Sequence, residues 1–209
     1  MTPHHRCRCE QEPKLHHPEL HRIVLTGGPG AGKTAVLEVA RKELCEHVVI
    51  LPEAATIVFG GGFPRRSEPS ARRHAQLAIF HVQDQMERLE LTLRRAALVL
   101  CDRGIPDGAA YWPEDEETFW AAVGAPKEAV IQRYHAVIHL RTPAANGGYG
   151  HQNPMRVETP AEARAIDERI ARVWEGHPRR VFVNSTEDFL VKLRVTLDHI
   201  RSFVPACCV

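Results

Sequence analysis

From residue 21 onward the chain alternates short, almost wholly apolar runs with segments whose apolar residues recur every three or four positions. These are the periods of buried strands and of amphipathic helices. Ile23, Val24 and Leu25 form a first strand that stops at a glycine loop beginning at Gly27. Val36, Leu37, Ala40 and Leu44 mark a helix behind it, and Val48, Val49, Ile50 and Leu51 a second strand broken by Pro52. Gly60, Gly61, Gly62, Phe63 and Pro64, followed by Arg65 and Arg66, make a breaker-rich loop. Beyond it Ala75, Ala78, Ile79, Val82, Met86, Leu89 and Leu93 trace one face of a long helix. Residues 97–101 and 136–140 read as further strands, with short helical stretches at 107–111 and 114–123 between them. The glycine-rich stretch 142–153 reads as a mobile surface loop. Ala163, Ile166, Ile170 and Val173 predict a helix, residues 181–183 a fifth strand, and Phe189, Leu193, Leu197 and Ile200 a last helix. Strands apolar on both faces, alternating with helices, imply an α/β fold of three layers: a five-stranded, mainly parallel sheet with helices on either side.

Composition narrows the function classes. Of 209 residues 44% are apolar and 25% charged, with a formal net charge of +1, which excludes bulk disorder and does not suit a strongly basic nucleic-acid binder. No apolar run approaches the roughly 20 residues of a membrane span. The first twenty residues lack the apolar stretch of a secretory signal, so a cytoplasmic protein is expected. We read one domain over residues 21–204, a flexible tail over 1–20 and a short tail over 205–209. Six cysteines show no secreted-scaffold rhythm and are read as mostly reduced, with Cys45 and Cys101 in or near the core. His4, His5, Cys7, Cys9, His16, His17 and His21 do not match a zinc spacing, and Cys207-Cys208-Val209 is not a prenylation signal.

The sharpest chemical signal is Gly27-Gly28-Pro29-Gly30-Ala31-Gly32-Lys33-Thr34, a complete G-x4-G-K-S/T between a strand and a helix. This pattern is a phosphate-binding P-loop. Its glycines let backbone N–H groups turn around a phosphate, the helix N-terminus adds its dipole, Lys33 reaches the β- and γ-phosphates and Thr34 offers a hydroxyl to magnesium. Asp102, directly after the apolar run 97–101, stands where a P-loop protein places the carboxylate that orients the magnesium and its waters. Arg103 either touches a phosphate or solvates the strand end. ATP and Mg2+ are the expected ligands, and the absence of an Asn-Lys-x-Asp run speaks against a Ras-like guanine pocket.

The P-loop, Pro52-Glu53-Ala54-Ala55, Asp102-Arg103-Gly104-Ile105-Pro106-Asp107 with Tyr111, and Asn153-Pro154-Met155-Arg156-Val157-Glu158-Thr159 follow one another in an order that resembles the AAA-type P-loop domain of the NadR kinase region and the insect TRPL translocation-defect protein. The resemblance continues through Trp174-Glu175-Gly176-His177-Pro178 and Asn184. It implies a nucleoside- or nucleotide-kinase-like P-loop NTPase core with a flexible lid. Thr56 stands where that family commonly has Arg.

Glu53, at the carboxyl edge of the expected sheet, has two readings: a base that takes the proton of an attacking hydroxyl, or an acid at a helix entry. Arg156, and also Arg141, would close over the phosphates as part of a lid, a reading of Arg156 that rests chiefly on the resemblance; its alternative is a salt bridge with Glu158 or another surface acid. Arg65, Arg66, Arg72 and Arg73 either contact an acceptor or form a solvated basic loop. Asn184 either touches the nucleotide base or, with Ser185, caps the last helix. Trp112, Trp120 and Trp174 read as packing residues. Two functions therefore stand beside each other. One is a phosphotransferase acting on an unidentified small hydroxyl acceptor; the other is a nucleotide-dependent switch or weak NTPase with a protein or lipid partner.

Overall fold

The computed structural model describes residues 20–143, 159–185 and 188–204. In chain order the elements are β1 His21–Thr26, α1 Lys33–Glu43, β2 Val48–Leu51, α2 Ala54–Gly60, α3 Pro69–Leu93, β3 Leu98–Asp102 and α4 Asp107–Tyr111. They continue with α5 Glu116–Val123, α6 Lys127–Ile131, β4 Ala136–Leu140, α7 Pro160–Val173, β5 Arg180–Val183 and α8 Phe189–Arg201. The five strands form one sheet in the order β2-β3-β1-β4-β5, and every pairing is parallel. The sheet is thus wholly parallel, because each strand is joined to the next by a helical crossover.

Alternation along each strand builds both faces. Ile23, Leu25, Leu98, Leu100, Ile138 and Leu140 enter a core with Val36, Leu37, Leu197 and Ile200 of α1 and α8. Val24, Val99, Cys101 and Val137 point the other way, into a core with Phe80, Phe119, Ile170 and Trp174. Trp112, Trp120 and Trp174 are all buried there, and Cys45 and Cys101 are buried and in no disulfide among the described residues. Among the described residues, no helix is long and apolar enough to cross a membrane.

The long helix α3 corrects the periodicity reading. Its buried positions are Ala75, Phe80, Gln83, Asp84 and Glu87, whereas Leu89 and Leu93 are 54% and 44% exposed. The polar groups tolerate burial because they are paired. Glu87 accepts hydrogen bonds from Arg22, Gln83 and the Tyr134 hydroxyl, and Asp84 holds Arg88 and Arg133. Helix α6 is an element that the apolar pattern does not announce.

Candidate active site at the carboxyl edge of the sheet

Parallel strands bring the ends of β1, β2, β3 and β4 to one edge, the side where such sheets hold ligands. The register pairs Leu25 with Asp102 and Thr26 with His139, so the P-loop leaves β1 between the ends of β3 and β4. Gly27, Gly30 and Gly32 have φ of 134°, 78° and 95°, conformations that side-chain-bearing residues rarely adopt. Close approach restricts Gly28 instead: a Cβ there would lie 2.5 Å from Thr142 Oγ1 and 2.8 Å from both Ala163 O and Asp167 Cβ.

Gly28, Pro29, Gly30, Ala31, Gly32, Lys33 and Thr34 form one loop leading into α1, and a concavity opens along it from Gly30 to Ala35 and Glu38. Not every N–H of the loop faces that concavity. The N–H of Gly28 donates to Asp167 Oδ1 at 2.8 Å. Lys33 is buried, and its Nζ donates to Gly27 O at 3.0 Å and Gly28 O at 3.4 Å. Burial, reinforced by the Arg103 guanidinium, lowers its pKa to about 8. Thr34 is exposed on the first turn of α1.

Asp102 ends β3 with its Oδ1 buried and without a hydrogen-bond partner among the described residues. Burial raises its pKa to about 6 against the opposing charge of Lys33. An orphaned carboxylate oxygen beside a phosphate loop fits a hard cation or a water of its shell. Asp102 and Thr34 are the residues that would hold magnesium.

Glu53 follows β2 and occupies the N-cap position of α2, but its side chain caps no backbone N–H. One oxygen accepts from Arg103 Nε at 2.5 Å and the other from Thr56 Oγ1 at 2.8 Å. Burial opposes the charge, yet Arg103 and Lys33 hold its pKa down at about 2. The helix-entry reading is therefore met by position and not by capping. Thr56, the departure from the family pattern, supports the carboxylate with its hydroxyl.

Arg103 is not a solvated strand end. It is 13% exposed, adopts φ of 69° and bridges Glu53 to Asp107, whose Oδ2 lies 3.4 Å from Nη1. Asp107 is buried and also accepts from Thr26 Oγ1 and Trp174 Nε1, each at 2.5 Å. The Arg103 N–H donates to Leu25 O at 3.1 Å and its carbonyl accepts from Gln83 Nε2 at 3.4 Å, and these bonds hold a backbone conformation that costs about 1 to 2 kcal/mol.

Of the remaining sequence candidates, Arg141 pairs with Asp167 Oδ2 at 3.2 Å and lies over the Phe182 ring. Asn184 is exposed beyond the end of β5 and is not the cap of α8, since Asp188 accepts from Leu190 N there. Arg156 and most of the glycine-rich stretch around it lie outside the described residues. Arg72 and Arg73 stand near the start of α3 and not on a loop: Arg72 donates to Tyr111 O and Arg73 pairs with Glu114, so both are held by protein groups.

Sequence reasoning passed over Asp167 and Lys192. Asp167 is buried, receives the Gly28 N–H, His139 and Arg141, and has its pKa lowered to about 2 by the imidazole and those hydrogen bonds against the pull of burial. Lys192 is buried with its Nζ 2.9 Å from Ala31 O and 2.6 Å from Arg141 O; burial lowers its pKa to about 8. The available signal was a charged residue inside an apolar stripe: Asp167 beside Ile166 and Ile170, Lys192 beside Leu193 and Phe189.

A P-loop on a five-stranded parallel sheet, with acidic groups at the ends of β2 and β3, defines a P-loop NTPase of nucleoside-kinase-like fold. The chain belongs to a family described as an AAA domain, whose pattern matches residues 22–189. Among solved structures it is similar to deoxyadenosine kinase from M. mycoides with bound dATP. That likeness has a TM-score of 0.58 at 12% sequence identity and covers 87% of this chain and 99% of the other. A sequence comparison with curated proteins finds no match.

Proposed function

We propose that this chain is a magnesium-dependent phosphotransferase that moves the γ-phosphoryl group of ATP to a hydroxyl of a small, nucleoside-like acceptor. The observation that carries this reading is a carboxylate kept ionised, Glu53, on the same sheet edge as the P-loop and the orphaned Asp102. An arginine-clamped acid beside the phosphate loop suits the receipt and aiming of an acceptor hydroxyl. The dATP-bound kinase of similar fold supports the reading at the level of architecture.

In this mechanism the loop's N–H groups and Lys33 hold the β- and γ-phosphates. Magnesium would supply charge neutralisation between those phosphates when bound, with Asp102 and Thr34 as its protein partners. The acceptor oxygen forms the new O–P bond as the β,γ-bridge breaks and ADP leaves. Its proton passes towards Glu53. With a pKa near 2, Glu53 is a weak base, and it serves first to receive and aim the hydroxyl hydrogen. A loose phosphoryl-transfer transition state demands little basicity before the O–P bond is well advanced. Arg103, released in part from Glu53 by the acceptor, turns its charge towards the transferring group. Arg156 would add a second positive charge from the following segment.

The test is an acceptor panel of nucleosides and nucleotides with ATP and magnesium, scored for phosphorylated product. Wild type should phosphorylate at least one member, and Glu53→Gln should retain ATP affinity while slowing transfer by about 10²- to 10⁴-fold. ATP turnover indifferent to every small acceptor would replace the kinase with the NTPase or switch.

A further inference from the structure

The backbone of the P-loop is held from behind by a set of side chains that lie outside its motif. Thr142 Oγ1, just past β4, donates to Pro29 O at 3.3 Å. Lys192 Nζ, from α8, donates to Ala31 O at 2.9 Å and is tied to β4 through Arg141 O at 2.6 Å. Asp167, from α7, accepts the Gly28 N–H and is itself braced by His139 and Arg141. Peptide groups 28, 29 and 31 are thus each grasped by a different side chain, and all three grips converge on the end of β4.

Planarity gives this arrangement its consequence. In a trans peptide the C=O of one residue and the N–H of the next point in opposite directions. The peptide bonds here are trans, so drawing Pro29 O back to Thr142 turns the Gly30 N–H forward, and drawing Ala31 O back to Lys192 turns the Gly32 N–H forward. Neither of those two N–H groups finds an acceptor among the described residues, and both residues line the concavity. The glycines supply the freedom to adopt this shape, but freedom alone does not choose it. An isolated glycine loop would spread its N–H vectors over many directions and lose affinity to ordering.

We propose that Lys192 and Thr142 are positioning residues that aim the Gly32 and Gly30 N–H groups at an anionic phosphate, with Asp167 fixing the root of the loop. They act through the backbone and touch no substrate. The inference rests on the reading of the chain as a nucleotide binder, and it assigns to α8 and the β4 terminus a share of the affinity otherwise credited to the motif.

The experiment measures Mg·ATP affinity by calorimetry for wild type, Lys192→Met, Lys192→Arg and Thr142→Val, together with melting temperature and the 15N–1H resonances of Gly30 and Gly32. Loss of a charged hydrogen bond should weaken binding about 10- to 100-fold in Lys192→Met, and loss of a neutral one about 3- to 10-fold in Thr142→Val. Lys192→Arg should recover part of the loss. In wild type both glycine resonances should move on adding Mg·ATP; in Lys192→Met the response of Gly32 should shrink more than that of Gly30, and in Thr142→Val the order should reverse. Wild-type affinity and wild-type glycine responses in a folded Lys192→Met or Thr142→Val overturn the proposal, as does a lowered melting temperature with unchanged affinity. Should Lys192→Met not fold, Thr142→Val decides, because it preserves side-chain shape. Wild type that binds no Mg·ATP refutes the nucleotide reading itself, a result distinct from equal binding by all variants.

Discussion

The two halves of the candidate site are built on opposite principles. On the side proposed for the phosphates the groups offered to a ligand would be backbone N–H donors and one lysine, and the ionisable side chains Asp167, His139 and Lys192 gather at the loop's rear. On the side proposed for the acceptor the side chains satisfy one another, Glu53 to Arg103 to Asp107. The first half has its loop backbone held by the bonds of Asp167, Thr142 and Lys192, and backbone N–H donors of this kind suit any polyphosphate. The second half is occupied by its own ion pairs, one guanidinium shared between two carboxylates, so an acceptor has to compete with them, which is where selectivity for a particular hydroxyl can arise.

The largest effect that would break this contrast lies at Lys33. Lys33→Ala should leave a folded protein with at least about 10²-fold lower affinity or turnover for Mg·ATP, since its ammonium rests on the loop's own carbonyls and meets the phosphates only when nucleotide enters. Calorimetry and a turnover assay on the folded variant check it. Unchanged values would remove the loop from the chemistry.

Asp102 should behave unlike a residue selected for stability. Its pKa of about 6, above the ordinary carboxylate value, means that near neutral pH the fold carries an ionised group it would rather protonate. The sign follows: this cost is absent below about pH 4, grows as pH rises through 6, and is lifted by a cation. Asp102→Asn is therefore expected to stabilise the unliganded protein by about 1 to 2 kcal/mol at pH 7.5 while weakening magnesium-dependent turnover about 10- to 100-fold, with a smaller effect on nucleotide affinity. Denaturation curves and a magnesium titration measure the two arms. Lost turnover without gained stability would recast Asp102 as a packed structural acid.

Asp167 should show the reverse dependence. Its pKa is depressed to about 2, so its contribution is fully present above about pH 4 and is lost as pH falls through 2. Asp167→Asn should cost about 1 to 2 kcal/mol at pH 6, a gap to wild type that narrows steadily below pH 4. Urea denaturation at several pH values follows it. A gap independent of pH would show that the carboxylate's charge is irrelevant to its grip on Gly28.

The smallest effect should come from Thr56. Its hydroxyl touches Glu53 from an exposed position, and Arg103 remains as the stronger partner, so Thr56→Val should change stability by less than about 0.5 kcal/mol and transfer rate by less than about 3-fold. A larger loss in rate would show that the acceptor side depends on this residue and would explain why it differs from the family pattern.

Legibility differed between these regions for a physical reason. Strands covered on both faces announce themselves as unbroken apolar runs, and a P-loop needs consecutive glycines and Lys-Thr, so β1, β3, β4 and residues 27–34 are readable locally. The buried face of α3 was not, because Gln83, Asp84 and Glu87 look solvent-facing until Arg22, Tyr134 and Arg133 are brought to them from distant positions. Asp107 read as a helix start, whereas its buried bonds to Thr26 and Trp174 arise from contacts 81 and 67 residues apart. Hydropathy assigns a charged residue to water unless its partner is known, and the partner is a fact of topology.

Taken by itself, the sequence determined the layered parallel architecture, the phosphate loop and the acids that follow the second and third strands, since each depends on residue types adjacent in the chain. The tertiary structure alone decided that Glu53 and Arg103 meet, that Asp102 keeps an oxygen unpartnered among the described residues, and that Asp167, Thr142 and Lys192 grip the loop from behind. These follow from the strand order β2-β3-β1-β4-β5, which sets the ends of β2 and β3 on one side of the loop and β4 with its flanking helices on the other. Strand order is a property of the whole packed chain, settled by long-range burial that no local spacing records.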